Sequence, residues 1–319
     1  MIKILKDVNA NKVKQVCFGG AWYHKVMSIE YDFKGIMGDI TLPMPYINRF
    51  KDDKEPTKLI DFDLKNLDVS SIYMGGHAKH ESDVGLALGR AILNEKVTEG
   101  SAVYRPFWRY ITDGFDDAGS YDLANGRNYS ATILNDKNGI KNVYAMYHPS
   151  FSEYYYLPGD RLRMSLTSPK PDYLVLKIEV LEVSKLPYSV EFRKKYNLKE
   201  TKDFTSPMMS SPGHGTNMLK TYKRVNAIDQ VSNEGKEAIV SNTVIENAIW
   251  ENCYLLYEEN GIIYQTPMNE EIAVEMSCPN VKGFIVSELN IETGGQKITI
   301  RPKGILEWKN YLFYYYCRF

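Results

Sequence analysis

Glu30 and Asp32, in the segment SIEYDF, are the first side chains in this sequence whose types and spacing could do chemistry. Residues two apart on an extended strand project from one face about 7 Å apart. At that separation two carboxyl groups can work on a glycosidic bond as acid and base. A third acid that would extend the row is missing, because Lys34 and Gly35 stand where it would fall. The competing reading is two solvated acids on an outward strand face, where acidic residues are mostly found. A second constellation is GGHAKHESD, in which His77, His80, Glu81 and Asp83 supply imidazole and carboxylate groups of the kind that hold a divalent metal. His77, His80 and Asp83 are its candidate ligands, although their spacing matches no established metal motif. A third is VYRPFWRYI: arginine forks bind hydroxyls and carboxylates, and aromatic rings stack on apolar faces. On a strand Arg105, Phe107 and Arg109 share one face and Trp108 and Tyr110 the other, so both sets cannot line one groove. With Trp108 read as core, the arginines become the surface candidates. His148 and His214 stand alone; the PGHG around His214 reads as a turn. No Gly-x-Ser-x-Gly elbow and no phosphate-binding glycine loop occurs.

The elements that must position these groups read as strands. In EYYYLPGDRLRMSLTSPKPDYLVLKIEVLEV, residues 153–183, Leu162, Met164 and Leu166 alternate with Arg161, Arg163 and Ser165. Leu174, Leu176, Ile178 and Val180 then alternate with Tyr173, Lys177 and Glu179. Period-two alternation of this kind makes a hairpin with one face on a core, and Pro-Gly-Asp before it and Ser-Pro-Lys-Pro inside it are the turns. Residues 22–35 read as another strand, carrying Glu30 and Asp32. ESDVGLALGR fits a strand better than a helix, because Gly85 and Gly89 weaken a helix. YSVEFRKKYN reads as a short helix, and ENG within NAIWENCYLLYEENGIIYQTP as a hairpin turn. Residues 48–58 and 113–140 read as loops, the second with a short strand inside it. Many short strands, glycine-rich turns and few short helices predict an all-β, jelly-roll-like sandwich of two antiparallel sheets. The reading is one domain over 1–319, with a candidate subdivision at the small-residue loop near 205–217 and an aromatic tail over 308–319.

Composition sets the outer bounds. The chain has 319 residues, 39 of them basic and 40 acidic, so a net charge of −1 gives no global field to draw nucleic acid or an anionic membrane. Its 24 tyrosines suit pleated sheets and surfaces that present an apolar ring with a polar tip. Cys17, Cys253, Cys278 and Cys317 lie far apart, form no zinc spacing, and leave their disulfide pairing open. No apolar run is long enough for a signal peptide or a membrane span.

The pieces DVGLALGR, YRPFWRYI, YYYLPGDRLRMSLTSPKPDYLVLKIEV, TYKRVNAIDQVSNEGK and IWENCYLL occur in an order that resembles the YrpD-type family of uncharacterised secreted bacterial proteins. The resemblance covers roughly residues 19–302 and implies a concanavalin A-like lectin or glucanase sandwich working outside the cell. Sandwich glucanases are similar in placing alternating acids on one strand of a concave sheet. The functional expectation is therefore a lectin-like protein that binds a glycan through a concave sheet holding Arg105, Arg109, Tyr154 and Tyr156, with no cofactor required. Its alternatives are a glycoside hydrolase or polysaccharide lyase using Glu30 and Asp32, and a structural or toxin-like protein that self-associates through Trp308 to Phe319.

Overall fold

The computed structural model describes the chain except for residues 6–12, 47–69, 90, 95, 99–102, 112–128, 136–140, 148–150, 199, 229–236, 239 and 304–319, and describes the backbone alone at 97, 109–111, 129–135, 141–147 and 227. The first half contains strands Tyr23–Ser28 (β1), Phe33–Thr41 (β2), Met44–Tyr46 (β3), Ser71–His77 (β4), Glu81–Gly89 (β5), Ile92–Leu93 (β6), Lys96–Val97 (β7), Val103–Ile111 (β8), Tyr129–Asn135 (β9) and Lys141–Tyr147 (β10). The middle contains Arg161–Thr167 (β11), Tyr173–Glu182 (β12), the helix Pro187–Lys195 (α1), Phe204–Thr205 (β13) and Met209–Ser210 (β14). Thr221–Ala227 (β15), Val244–Glu259 (β16), Ile262–Pro267 (β17), Ala273–Cys278 (β18), Phe284–Val286 (β19) and Gln296–Ile300 (β20) follow.

Two antiparallel sheets form a sandwich, as the strand grammar predicts. Sheet I has eight strands in the order β18-β1-β15-β4-β5-β8-β10-β9, and sheet II has ten, with β13-β12-β11-β2-β16-β20-β19 as its main path. The core between them takes the inward residues of both: Val26, Ile72, Met74, Leu86 and Trp108 from sheet I meet Ile36, Ile40, Met164, Leu176, Trp250 and Leu255 from sheet II. The 153–183 hairpin pairs as its alternation requires, with Met164 opposite Ile178 and Leu166 opposite Leu176. Leu162, Met164, Leu166, Leu174, Leu176 and Ile178 are all sealed, while Val180 packs partly buried at the rim of the same core. ESDVGLALG is a strand, the YSVEF segment is a helix, and Trp108 is core.

Asp160 in the Pro-Gly-Asp turn shows how this hairpin is tied down. Its carboxylate accepts hydrogen bonds from the backbone N–H groups of Leu157 and Ser184, each at 2.7 Å, and from Arg193 of α1 at 2.6 and 2.8 Å. A fully buried carboxylate is tolerable only when so many donors face it. The outward face of sheet I is also covered. Ala21, Tyr23, Tyr73, Phe107, Val225 and Cys278 form a second cluster there, against which Phe18 packs. Cys17 of the N-terminal arm is disulfide-bonded to Cys278 at the end of β18, and the Gln15 side chain donates to the Val274 carbonyl at 2.6 Å. Cys253 is a buried free thiol.

Candidate active site

β18 is the edge strand of sheet I, and its inward residues Glu275 and Ser277 lie beside β1, with Ser277 opposite His24 and Glu275 opposite Val26. At an edge the inward face is only half covered: Ser277 is half-buried and the Glu275 side chain is 45% exposed, while His24 is 3% exposed. Gln296, at the start of β20 in sheet II, closes the gap from the opposite layer. The Ser277 Oγ lies 3.0 Å from His24 Nδ1. The other ring nitrogen, Nε2, lies 3.1 Å from Gln296 Oε1 and 3.5 Å from Glu275 Oε2. A hydroxyl, an imidazole, an amide and a carboxylate are thus in one hydrogen-bonded chain.

The neighbours fix the direction of that chain. The Gln296 amide nitrogen donates to Glu275 Oε2 at 2.7 Å and to the Ser287 carbonyl at 3.0 Å, and both partners can only accept. Its oxygen faces Arg224, which can only donate, at 3.3 Å. The amide therefore has one orientation, so His24 Nε2 must carry the proton donated to Gln296 Oε1. In the neutral ring Nδ1 is then the basic nitrogen, placed to accept from the Ser277 hydroxyl. Hydrogen bonding from His24, reinforced by Gln296, outweighs partial burial and holds the Glu275 carboxyl below the usual range, so it is ionised at neutral pH. Arg224 itself is fully buried, donates to the Gly294 carbonyl at 2.7 Å and lies 5.6 Å from the Trp250 ring.

A second serine–histidine chain has the wrong surroundings for catalysis. Ser82 Oγ and Ser211 Oγ are 2.7 Å apart, and Ser211 Oγ is 2.9 Å from His214 Nδ1. All three residues are sealed at 0% exposure, and the His214 ring stands edge-on to Tyr222. Burial pushes this histidine down to about 4, so it is neutral and structural.

The residues singled out from the sequence are scattered over other parts of the fold. Glu30 and Asp32 do not share a strand face, because the extended run predicted over 22–35 breaks between β1 and β2 and Glu30 lies exposed at the bend. Both oxygens of Asp32 are taken, one by Lys220 at 2.7 Å and the other by Lys34 at 2.8 Å. Burial alone would raise its pKa, but the two ammonium groups prevail and lower it, which removes it as an acid. Tyr156 is core, its hydroxyl donating to the Lys202 carbonyl at 2.9 Å, and Tyr154 is partly buried, its ring edge-on to that of Phe204. Arg105 is 5% exposed on β8, and the Arg109 side chain lies outside the described residues. His77 ends β4, His80 sits in the following turn, and Asp83 on β5 pairs with Lys223 at 2.8 Å. Among the described residues no group of three or more His, Cys, Asp or Glu is placed to hold a metal ion. The aromatic tail and His148 lie outside the described residues. Sequence reading passed over His24, Ser277, Glu275 and Gln296. Their one local signal is the alternation of Glu275 and Ser277 in VEMSC, and nothing there points to residues 24 or 296.

No family model matches the chain, and no curated protein matches it. Among solved structures it is similar to scytalido-glutamic peptidase bound to a peptide-based transition state analogue, at 8% identity and a TM-score of 0.45, covering 87% of this chain and 97% of the other. It is also similar to SCP-B, a member of the eqolisin family of peptidases, at 10% identity and a TM-score of 0.40, covering 87% and 97%. These neighbours are described as peptidases and not as lectins or glycosidases. The engaged Asp32, the isolated exposed Glu30 and the sealed Tyr156 correct the expectation of a carbohydrate-binding lectin and of a glycan-cleaving enzyme on Glu30 and Asp32. The expectation of self-association through the tail falls on residues outside those described. Among the described residues no helix is long and apolar enough to cross a membrane.

Proposed function

We propose that the chain is a hydrolase that cleaves an ester or amide bond by acyl transfer, with Ser277 as nucleophile and His24 as its base. The observation that carries this reading is the one-way hydrogen bonding described above, which leaves the basic nitrogen of His24 facing the Ser277 hydroxyl at 3.0 Å. In the first half-reaction Ser277 Oγ attacks the substrate carbonyl carbon and its proton passes to His24 Nδ1. The bond to the leaving alcohol or amine breaks as that proton is returned to it. Water then enters by the same route and releases the acid. Gln296 holds the imidazole plane through Nε2, and the ionised Glu275, 3.5 Å away, offsets the positive charge that appears on the ring. The Cys17–Cys278 disulfide pins the backbone next to the nucleophile. Such a bond persists in an oxidising compartment, which is the setting this reading favours.

The test is labelling with a fluorophosphonate together with hydrolysis of an activated ester such as p-nitrophenyl acetate. Wild type is expected to be labelled at Ser277, and Ser277→Ala to lose labelling and turnover. Glu275→Gln, with the network kept but the charge removed, is expected to slow turnover by about 10²–10⁴-fold, the scale of assisted proton transfer. Unlabelled wild type, or Ser277→Ala that hydrolyses the ester as fast as wild type, would sink the assignment.

A further inference from the structure

β18, the strand that carries Ser277, ends sheet I and pairs with β1 alone. The Ile29 N–H donates to the Ile272 carbonyl at 2.8 Å, whereas on the other flank of β1 the Ile228 N–H donates to the Trp22 carbonyl at 3.1 Å. The backbone groups of successive residues in an antiparallel strand point alternately to its two sides. Tyr23, Lys25, Met27 and Ile29 therefore bond towards β18, where Cys278, Met276, Val274 and Ile272 are their partners. The N–H and C=O groups of Ala273, Glu275 and Ser277 turn the other way, to the open edge of the sheet. Among the described residues no hydrogen bond reaches them. The N-terminal arm does not change this, because its links to the Val274 carbonyl and to Cys278 fall on the set that faces β1.

The same alternation sets the site. Ser277 and His24 form a non-hydrogen-bonded pair, the closer of the two kinds in an antiparallel ladder, and Ser277 Oγ accordingly lies 3.0 Å from His24 Nδ1. The base stands on the β1 side of Ser277, and the open edge lies on the other. A substrate that approaches the hydroxyl opposite its base therefore meets the three unpaired backbone positions. Glu275, ionised and with its side chain 45% exposed, adds a negative charge to that edge. We propose that the substrate is an extended peptide with a basic side chain, which adds to β18 as an antiparallel strand. Its backbone bonds to Ala273, Glu275 and Ser277, and its basic residue lies opposite Glu275. Strand addition of this kind takes affinity from the backbone and selectivity from alternate side chains, and opposite charges facing each other across a strand pair attract. The inference rests on Ser277 as the nucleophile of the reaction proposed above, and it narrows the bond attacked to a peptide bond.

The probes are a capped peptide of alternating lysine and alanine and its counterpart with glutamate in place of lysine, titrated calorimetrically into full-chain Ser277→Ala at neutral pH. The lysine peptide is expected to bind and the glutamate peptide to bind at least about fivefold more weakly, the scale of a cross-strand charge reversal. N-methylation separates strand addition from charge attraction alone. With lysines opposite Ala273, Glu275 and Ser277, the lysine N–H groups face β18 and the alanine N–H groups face away. Methylating the lysine amides should weaken binding at least about tenfold, and methylating the alanine amides should leave it within about twofold. Hydrogen exchange in the complex should slow at the Glu275 and Ala273 amides and stay unchanged at Met276, which already bonds to β1. If Ser277→Ala does not fold, wild type replaces it: the lysine peptide should slow fluorophosphonate labelling of Ser277, and its lysine-methylated form should not. Wild type that is labelled at Ser277 but shows no peptide binding, a glutamate peptide that binds as well, equal or reversed effects of the two methylations, or an unprotected Glu275 amide would each overturn strand addition while leaving the nucleophile in place. Unlabelled wild type would remove the nucleophile and this proposal with it.

Discussion

His214 gives the pH dependence of stability a definite sign. Its ring is fully buried, Ser211 holds Nδ1, and burial takes its pKa from 6.5 to about 4 against the opposing pull of the Ser211 backbone. A group whose folded pKa is depressed contributes stability above its unfolded pKa and loses it as the pH falls towards the folded value. Unfolding should therefore become easier between about pH 6.5 and 4, by roughly 3 kcal/mol in all. Asp32 and Asp39 act in the same direction but lower, because their paired carboxyls are held below the ordinary 3.8. Urea unfolding of wild type and His214→Gln at pH 7.5 and 4.5 checks this. The mutant should lose less stability on acidification, and equal losses would place the titrating group elsewhere. A histidine within PGHG gives no sign in the sequence of being sealed, because Gly76 and Ser82, which lie against it and its partner Ser211, come from β4 and β5 much earlier in the chain.

At the level of elements, the hairpin joining β16 and β17 isolates a single backbone term. Asn260 and Gly261 both have positive φ, 53° and 75°, the pattern of a turn whose twist matches that of its strands. A Cβ on Gly261 would meet nothing within 4 Å, so Gly261→Ala should cost only the conformational penalty, about 1 kcal/mol, visible as a lowered denaturation midpoint. A loss several times larger would mean that this turn contributes more than its φ angles imply. This turn and the 153–183 hairpin were legible in the sequence because their signals are local: Glu-Asn-Gly in one, strict alternation closed by prolines in the other. Glu30 and Asp32 were misread for the converse reason. Alternation over SIEYDF suggests an unbroken strand, whereas Tyr31 instead makes an isolated bridge to Lys220, and Asp32 turns to two lysines. Ser277 and Gln296 reach His24 across 253 and 272 residues, a distance over which periodicity carries no information.

Across the whole molecule, one covalent link spans almost the full chain. Cys17 and Cys278 are 261 positions apart, so their bond removes a very large loop from the unfolded ensemble. Reduction, or Cys17→Ser, should lower stability by about 2–4 kcal/mol, measured as the shift in denaturant midpoint between oxidised and reduced protein. It should also loosen the strand that carries Ser277, so ester hydrolysis is expected to fall on reduction before the sandwich unfolds. Unchanged stability on complete reduction would show that the arm is held by its contacts alone. The four cysteines were visible in the sequence, but which of them pair depends on how sheet I closes.

That closure has a consequence for biosynthesis. β1 is formed early yet lies between β15 and β18, so its neighbours are about 200 and 250 residues away along the chain. A nascent chain leaving the ribosome must hold the apolar residues of β1 unpaired until nearly everything else has been made. Contacts of such long sequence separation are slow to form and leave strand edges open to wrong partners meanwhile. Yield in any host should therefore depend more on chaperone supply and growth temperature than on the stability of the finished sandwich.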